Sequence, residues 1–362
     1  MNVFGAIQTL LKHQNSFIAF RLPGQIDPEL FYDGVFVKKK IHDNSLKESL
    51  EESFILAPFI DSDSFPELAY VNYKTFDSSD NFKASDTKTS NFQLKLTSPE
   101  IIEKEAYLKK TEQLIDRMKQ AELDKIVFSR VINKDVSLSY DWSAHYARMC
   151  EKYPDAFVYF IALGKHHFWL GATPEILVSY TNDVGETMAL AGTQSIQNKG
   201  NEALIWNQKE LDEQAYVRRN VLKTLQDFQV KWLHQGELKT KTAGQVAHLL
   251  NHFRFVMSYP NTPLSLARAL HPTPAVCGQP KHTAKKLIIE SETHQRSYYT
   301  GFLGTIDSAG NTRFFVNLRC MQVIRDQAYI YVGGGLTADS NPEKEWEETE
   351  LKAQTMLAVF SK

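Results

Sequence analysis

Three apolar segments near the C-terminus constrain the fold more than any other feature of the chain. Residues 299–307, 312–324 and 328–336 are rich in β-branched and aromatic side chains, and polar turns at 308–311 and 325–327 separate them. Strand-like segments joined by short polar turns are typical of consecutive antiparallel strands. The sequence therefore predicts an antiparallel meander in this part of the chain.

Long helical segments accompany these strands. The residue pattern predicts helices over about 99–121, 202–228 and 342–360, and Asn341 and Pro342 suit the cap and first turn of the last one. Helices combined with an antiparallel sheet predict an α+β fold in which the helices pack outside the sheet.

Charge and cysteine content exclude several classes of protein. Among 362 residues, 41 are Lys or Arg and 43 are Asp or Glu, so no nucleic acid or anionic membrane is expected as a partner. Cys150, Cys277 and Cys320 form no CxxC pair, which favours a reducing compartment. The N-terminal segment lacks the basic region of a signal peptide. We therefore expect a cytoplasmic protein.

The predicted last helix carries a candidate metal site. Glu345, Glu348 and Lys352 share one helical face, and the glycine run 333–335 just upstream would let backbone approach a bound group. Glu213, on the long helix before it, is a candidate partner carboxylate. Magnesium suits such oxygen ligands, since it usually takes only one or two protein carboxylates. A salt-bridged solvent face is the alternative for the same residues.

Lys125 and Glu175 are candidate acid–base residues. Glu175 follows Thr-Pro at a strand end, where proline fixes the direction of the chain. Its carboxyl can act as a general acid if burial raises its pKa. Lys125 opens an apolar strand, KIVFSR, and a desolvated lysine can serve as a base. Each residue could instead be an ordinary surface charge at the end of a strand.

Three further segments carry candidate residues for binding an anionic ligand. Gly192 and Thr193 form a Gly-Thr turn that could present amides to a carboxylate, and His271 lies in a rigid HPTPA loop. Arg319 lies in the apolar segment VNLRC, where a guanidinium needs an anion as its partner. The chain contains no Walker loop, GxGxxG or GxSxG motif. These residues suggest an anionic substrate, a hard cation and an acid–base pair, but they do not name the reaction.

Nine segments, taken in order, resemble the chorismate-utilising enzymes. They are KIVFSR, GATPE, LAGT, KELDE, HPTPAVCGQPK, YYTGFLG, VNLRC, VGGGLTADS and EKEWEETELK, within about residues 99–360. The resemblance implies a large single-domain α/β sandwich, with antiparallel sheets packed together and helices outside. Residues 96–362 would form the catalytic core, and residues 1–95 a divergent part of the same fold.

The resemblance also implies roles for individual residues. The ligands of a magnesium ion that holds a chorismate carboxylate would be Glu213 and Glu348, with Glu345 nearby. Contacts with the substrate would come from Gly192, Thr193, His271, Tyr299, Arg319, Gly333 and Lys352.

Two positions separate the branches of this family. Lys125 matches a base that activates water, and Ala191 stands where the aminodeoxychorismate-forming branch carries a nucleophilic lysine. Glu175 would protonate the leaving hydroxyl. The resemblance therefore implies isochorismate synthase activity without a glutamine amidotransferase subunit. Salicylate synthase and a non-catalytic chorismate-binding relative remain the alternatives, and the choice between menaquinone and siderophore synthesis stays open.

Overall fold

Two antiparallel sheets and the helices that cover them form the molecule. The computed structural model describes residues 1–39, 51–79, 82, 94, 96–164, 166–195, 204–243, 246–258 and 261–360. Its helices are α1 (Val3–Lys12), α2 (Lys104–Lys119), α3 (Trp142–Lys152), α4 (Gln208–Asp227), α5 (Pro263–Leu270), α6 (Lys281–Ser291) and α7 (Pro342–Leu357). In that part of the chain, none of them is long and apolar enough to cross a bilayer.

The first sheet has nine strands. In spatial order they are β15 (Gly278–Gln279), β7 (Lys125–Asp135), β19 (Gln327–Leu336), β18 (Cys320–Ile324), β9 (His167–Thr173), β8 (Phe157–Gly164), β1 (Phe17–Arg21), β2 (Glu29–Tyr32) and β6 (Lys74–Thr75).

The second sheet has ten strands. Nine of them run in the order β12 (Trp232–Gln235), β14 (Val246–Val256), β11 (Val184–Ser195), β10 (Ile176–Thr181), β17 (Thr312–Val316), β16 (Phe302–Ile306), β4 (Ser53–Ala57), β5 (Leu68–Val71) and β3 (Val35–Lys38). The tenth, β13 (Lys239–Ala243), pairs with β14 beside β12.

Aromatic side chains fill the space between the sheets. Phe157 of β8 stacks on Phe315 of β17, with ring centroids 4.3 Å apart. Phe20 and Phe54, from strands of different sheets, are 5.8 Å apart, and both are fully buried. Such side chains each bury a large apolar area, so this layer holds the two sheets in a fixed relation. The predicted sandwich of antiparallel sheets with outer helices is confirmed.

The predicted C-terminal meander is wrong in one respect. Residues 312–324 are not one strand, because the chain crosses from β17 in the second sheet to β18 in the first. The crossing occurs at residues 317–319, where Arg319 has a φ of 47°. A run of apolar residues looks the same whether it stays in one sheet or passes between two, since both faces are buried.

Buried hydrogen bonds fix this crossing. Asn317 is fully buried; its Oδ1 accepts from the Tyr159 hydroxyl at 2.6 Å, and its Nδ2 donates to the Tyr298 carbonyl at 2.8 Å. Asn317 therefore ties the crossing segment to a strand of the first sheet and to the segment before β16.

Asn317→Ala should lower the free energy of unfolding by about 2–4 kcal/mol, because it leaves two buried polar groups unpaired, each costing about 1–3 kcal/mol. Asn133→Ala, at an exposed position on β7, is the control and should change it by less than about 0.5 kcal/mol. Denaturant unfolding followed by tryptophan fluorescence measures both. Equal stability of the two variants would show that the Asn317 bonds contribute nothing net.

Candidate active site

A cavity between the sheets collects most of the residues singled out in the sequence. Its wall includes Val127, Pro174, Glu175, Ala191, Thr193, Glu213, His248, Val276, Tyr299, Leu318, Arg319, Val332, Gly333, Gly335 and Lys352. These positions come from β7, β11, β14 and β19, from helices α4 and α7, and from loops at the strand ends. Segments up to 225 positions apart (from 127 to 352) thus share one cavity.

Three carboxylates converge on the glycine run of β19. A Cβ built on Gly334 would lie 3.1 Å from Glu345 Oε2 and 3.5 Å from Glu348 Oε1. A Cβ built on Gly335 would lie 2.8 Å from Glu213 Oε1. Glycine at these two positions therefore leaves the space in which the carboxylates meet the strand.

Each of these carboxylates has a lysine partner. Lys125 Nζ lies 2.8 Å from Glu213 Oε1, Lys209 Nζ lies 2.7 Å from Glu345 Oε1, and Lys352 Nζ lies 2.6 Å from Glu348 Oε1. Lys352 also donates to the Gly333 carbonyl at 2.9 Å, which attaches α7 to β19. Three cations thus offset three anions among side chains that are wholly or largely buried.

The pKa values of Glu213 and Glu345 are shifted in opposite directions. Burial acts to raise the pKa of Glu213, but the charges of Lys125, Lys352 and Lys209 leave it below its ordinary value. Burial, and then the nearby charge of Glu348, raise the pKa of Glu345. The Glu345 carboxylate is therefore less compensated than that of Glu213, and its buried Oε2 has no hydrogen-bond partner in the described part of the chain.

The three glutamates are suited to a hard cation. A buried carboxylate oxygen without a donor, next to a second carboxylate and a glycine backbone, is an arrangement that a divalent oxygen-binding ion would satisfy. No ready-made cluster of three His, Cys, Asp or Glu ligands exists among the residues that the structure describes. Magnesium does not require one, since it usually keeps several waters and takes one or two protein carboxylates.

Glu175 is held at the junction between β9 and β10. The Thr173 hydroxyl donates to the Val316 carbonyl at 2.6 Å, and the Val316 amide donates to the Glu175 carbonyl at 2.9 Å. The side chain of Glu175 is buried, and burial raises its pKa to about 7, against the opposing charges of Lys125 and Lys241. A carboxyl with this pKa is available as a proton donor near neutral pH.

Lys125 lies at the start of β7 and is completely buried. Its ion pair with Glu213 places its amine next to the glycine run, where the carbon bearing that amine would be 3.1 Å from a Cβ at Gly335. The predicted base and the predicted acid thus lie close enough for Lys125 to affect the pKa of Glu175.

Arg319 and Tyr299 form the cationic end of the cavity. Arg319 is half-buried, and its partial removal from water lowers its pKa; its Nη1 donates to the Thr355 hydroxyl at 3.2 Å. Tyr299 stacks on Tyr331 with centroids 5.3 Å apart. A partly desolvated guanidinium facing a cavity is a natural partner for a carboxylate. Sequence reasoning placed Arg319 within a strand, but it lies at the crossing between β17 and β18.

Gly192 and Thr193 lie in a bulge of β11. The register with β14 shifts between Ala191 and Gln194, and Gly192 has a φ of 68°. His248 Nδ1 lies 2.9 Å from the Gly192 carbonyl, so it carries the proton and donates. Because burial lowers the pKa of His248 to about 3, the ring is neutral.

The structure replaces one histidine of the predicted site with another. His271 is turned away from the cavity, with Nε2 3.0 Å from the Pro58 carbonyl and its ring against Phe59 and Phe302. His248 lines the cavity instead, and sequence reasoning missed it. The rigid HPTPA loop made His271 conspicuous in the sequence. His248 lies in a strand without a motif, and the available signal was its place on the side of that strand that faces inward.

Glu175 should reduce the stability of the ligand-free protein as the pH rises from 4.5 to about 7. Its pKa rises from 4.5 in the unfolded chain to about 7 in the fold, so the folded state binds more protons between these values. Stability is therefore lost as pH rises, by about 1.4 kcal/mol per pH unit, or roughly 3 kcal/mol by pH 7.

Glu175→Gln should consequently gain about 2–3 kcal/mol relative to the unmodified protein between pH 5 and pH 8, as measured by denaturant unfolding at each pH. Glu237→Gln, at an exposed position, is the control and should show no such trend. A Glu175→Gln difference that stays constant with pH would show that this carboxyl is not buried in its protonated form.

Comparison with known proteins identifies the family. Residues 49–361 match the family model described as chorismate binding enzyme. The isochorismate synthase EntC of Escherichia coli strain K12 is 27% identical over 272 residues, which cover 72% of this chain and 70% of that protein. The isochorismate synthase DhbC of Bacillus subtilis strain 168 is 36% identical over 53% of this chain and 50% of that protein.

A solved structure extends the likeness to the whole chain. The structure of DhbC from Bacillus anthracis, described as a candidate 2,3-dihydroxybenzoate-specific isochorismate synthase, aligns with a TM-score of 0.78 and 27% identity. The alignment covers 98% of this chain and 99% of that one, so it includes most of the first 48 residues, which the family model leaves out. The chain belongs to the family of chorismate-binding enzymes.

Proposed function

We propose that the protein is an isochorismate synthase that converts chorismate to isochorismate with the help of magnesium. The observation that carries this proposal is a cavity wall that contains Glu175, Arg319 and Lys352, together with Lys125, which is paired with Glu213 of the same wall. EntC and DhbC, two relatives with substantial overlap, are named isochorismate synthases, which supports the same activity.

Arg319 and Lys352 would orient the substrate. Chorismate carries two carboxylates, and the cavity offers the Arg319 guanidinium beside Tyr299 at one place and the Lys352 ammonium beside Gly333 at another. Binding both carboxylates would fix the ring relative to Lys125 and Glu175, and holding reactants in a productive geometry contributes strongly to the rate.

Lys125 and Glu175 would move the two protons of the reaction. Lys125 takes a proton from water as the water oxygen bonds to C2 of the ring, and the double bond shifts. The bond from C4 to its hydroxyl oxygen breaks, and Glu175 gives that oxygen a proton, so water leaves. Transfer of a proton from Lys125 back to Glu175 restores both groups. Only the neutral amine can accept the proton, so base action requires the contact of Lys125 with Glu213 to open.

Glu213 and Glu348 would hold the magnesium ion, with Glu345 beside it. When bound, the ion supplies positive charge that offsets these carboxylates and attracts a carboxylate of the substrate. Glu345 Oε2, which has no hydrogen-bond partner among the residues that the structure describes, and the space beside the glycines fit such an ion.

Ala191 supports the choice of water as the nucleophile. It lines the cavity and offers no amine to attack the ring. Because Lys125 matches the base that activates water, we also propose that the enzyme works without an amidotransferase subunit that supplies ammonia. Cys150, Cys277 and Cys320 are free thiols, which fits the proposed cytoplasmic location.

Product analysis tests the proposal. Purified protein incubated with chorismate and magnesium should form isochorismate, resolved by liquid chromatography, and a chelator should abolish the reaction. Glu348→Gln should reduce turnover severely because it removes a charged ligand, while Glu347→Gln, exposed on the same helix, should not. Release of pyruvate with salicylate would identify a salicylate synthase, and no conversion of chorismate would overturn the proposal.

Lys125→Gln and Glu175→Gln should each lower kcat by about 10²–10⁴-fold, the usual contribution of general acid–base catalysis. The affinity for chorismate, measured by calorimetry, should change only a few-fold, since neither residue is assigned to a substrate carboxylate. Both variants should lose the reverse reaction in the same proportion, because it uses the same groups in exchanged roles. A Lys125→Gln enzyme that kept most of its forward rate would mean that another group is the base.

A further inference from the structure

We propose that Lys241 is a positioning residue for the acid of this reaction: it lies against the segment that carries Glu175, and its charge sets how readily that carboxyl gives up its proton. The inference rests on the proposed function, because it concerns the group assigned there as the proton donor. Neither the sequence motifs nor the family resemblance singled out Lys241.

Strand pairing directs Lys241 toward the site. β13 pairs with β14 in a register that sets Lys241 opposite His248. Directly opposed residues of antiparallel strands project from the same face of a sheet, with Cβ atoms about 5 Å apart. Since His248 lines the cavity, Lys241 on β13 projects from the same face of the sheet, the face that borders the cavity.

Lys241 then reaches across to the Thr-Pro-Glu segment. Its Nζ donates to the Pro174 carbonyl at 3.3 Å, and the next residue along the chain is Glu175. The side chain is only partly exposed, so its charge is not fully screened by water. The contact spans 67 positions in sequence and joins an outer strand of the second sheet to the loop before β10.

The charged groups around this contact define its effect. Glu175 faces two cations, Lys125 from β7 and Lys241 from β13, and both oppose the rise in its pKa caused by burial. Lys241 in turn faces two carboxylates, Asp155 and Glu175. His252, on β14, has its pKa lowered first by burial and then by the charge of Lys241.

Burial and the charges of two lysines together give the Glu175 carboxyl an intermediate proton affinity. With burial alone, the carboxyl would hold its proton more tightly and donate it to a leaving oxygen less readily. Lys125 also takes part in proton transfer under the proposed function, so its charge changes during the reaction. Lys241 has no role in proton transfer under the proposed function, so its charge can stay constant during the reaction.

The test is a titration of Glu175 in the ligand-free protein by infrared difference spectroscopy. The carbonyl band of the protonated carboxyl, assigned by its loss in Glu175→Gln, should have its midpoint near pH 7. In Lys241→Gln the midpoint should move up by about one pH unit, the lower end of the effect of a nearby opposite charge. Lys241→Arg should keep it close to the original value, because the charge is retained.

Lys239→Gln is the matched control. Lys239 is exposed, lies two positions earlier on β13 and therefore projects from the same face. It should leave the midpoint of Glu175 unchanged. An equal shift in Lys239→Gln and Lys241→Gln would overturn the proposal, since it would reflect a general surface charge. An unshifted midpoint in Lys241→Gln would overturn it as well.

The pH dependence of kcat provides the kinetic counterpart. Activity needs the protonated acid and falls as pH rises through its pKa, so this alkaline limb should move to higher pH in Lys241→Gln but not in Lys239→Gln. A lower rate with an unmoved limb would mean a merely structural role for Lys241. The two proposals fail separately: failure of the unmodified protein to convert chorismate would sink the function, whereas an infrared midpoint that ignores Lys241 would sink this inference alone.

Discussion

Compensation between buried charges determines how the centre of this molecule can be built. Glu213 and Glu345 come from different helices, α4 and α7, and both meet the glycine run of β19. Carboxylates brought so close repel each other, and desolvation increases the cost. Three lysines offset this cost in the ligand-free protein. Under the proposed function, a dianionic substrate and a divalent cation enter together, so the compensated state is preserved when both are bound.

The hydrophobic pattern predicts elements better than it predicts which sheet they join. The start of the last helix at Pro342, with the Asn341 side chain accepting from Lys344, follows from local capping preferences and agrees with the structure. The division of residues 312–324 between two sheets depends instead on the hydrogen bonds of Asn317. One partner, Tyr159, lies on β8, and the other, Tyr298, lies in the segment before β16. No local pattern contains that information, because buried strands in either sheet are equally apolar.

The candidate site shows the same division between local and distant information. Glu175 was predictable because Thr-Pro fixes the chain just before it, and the burial that raises its pKa follows from its place between two apolar strands. His248 and Lys241 were not predicted, since their positions depend on the pairing of β13 with β14 and on a bulge in β11. His271 was conspicuous for its prolines, yet its ring lies against Phe59 and Phe302.

The environment of Glu175 combines two opposing requirements. A general acid must hold its proton at working pH, which burial achieves, and must also release it, which nearby cations favour. Burial without cations would give a carboxyl that is protonated but a poor donor, and cations without burial would give one already ionised. The fold buries Glu175, which raises its pKa, and sets it near Lys125 and Lys241 from different sheets, which oppose that rise, so its pKa lies near 7. The unfolded chain has neither effect, so the same arrangement that prepares the acid costs the folded protein stability as the pH rises from 4.5 to about 7.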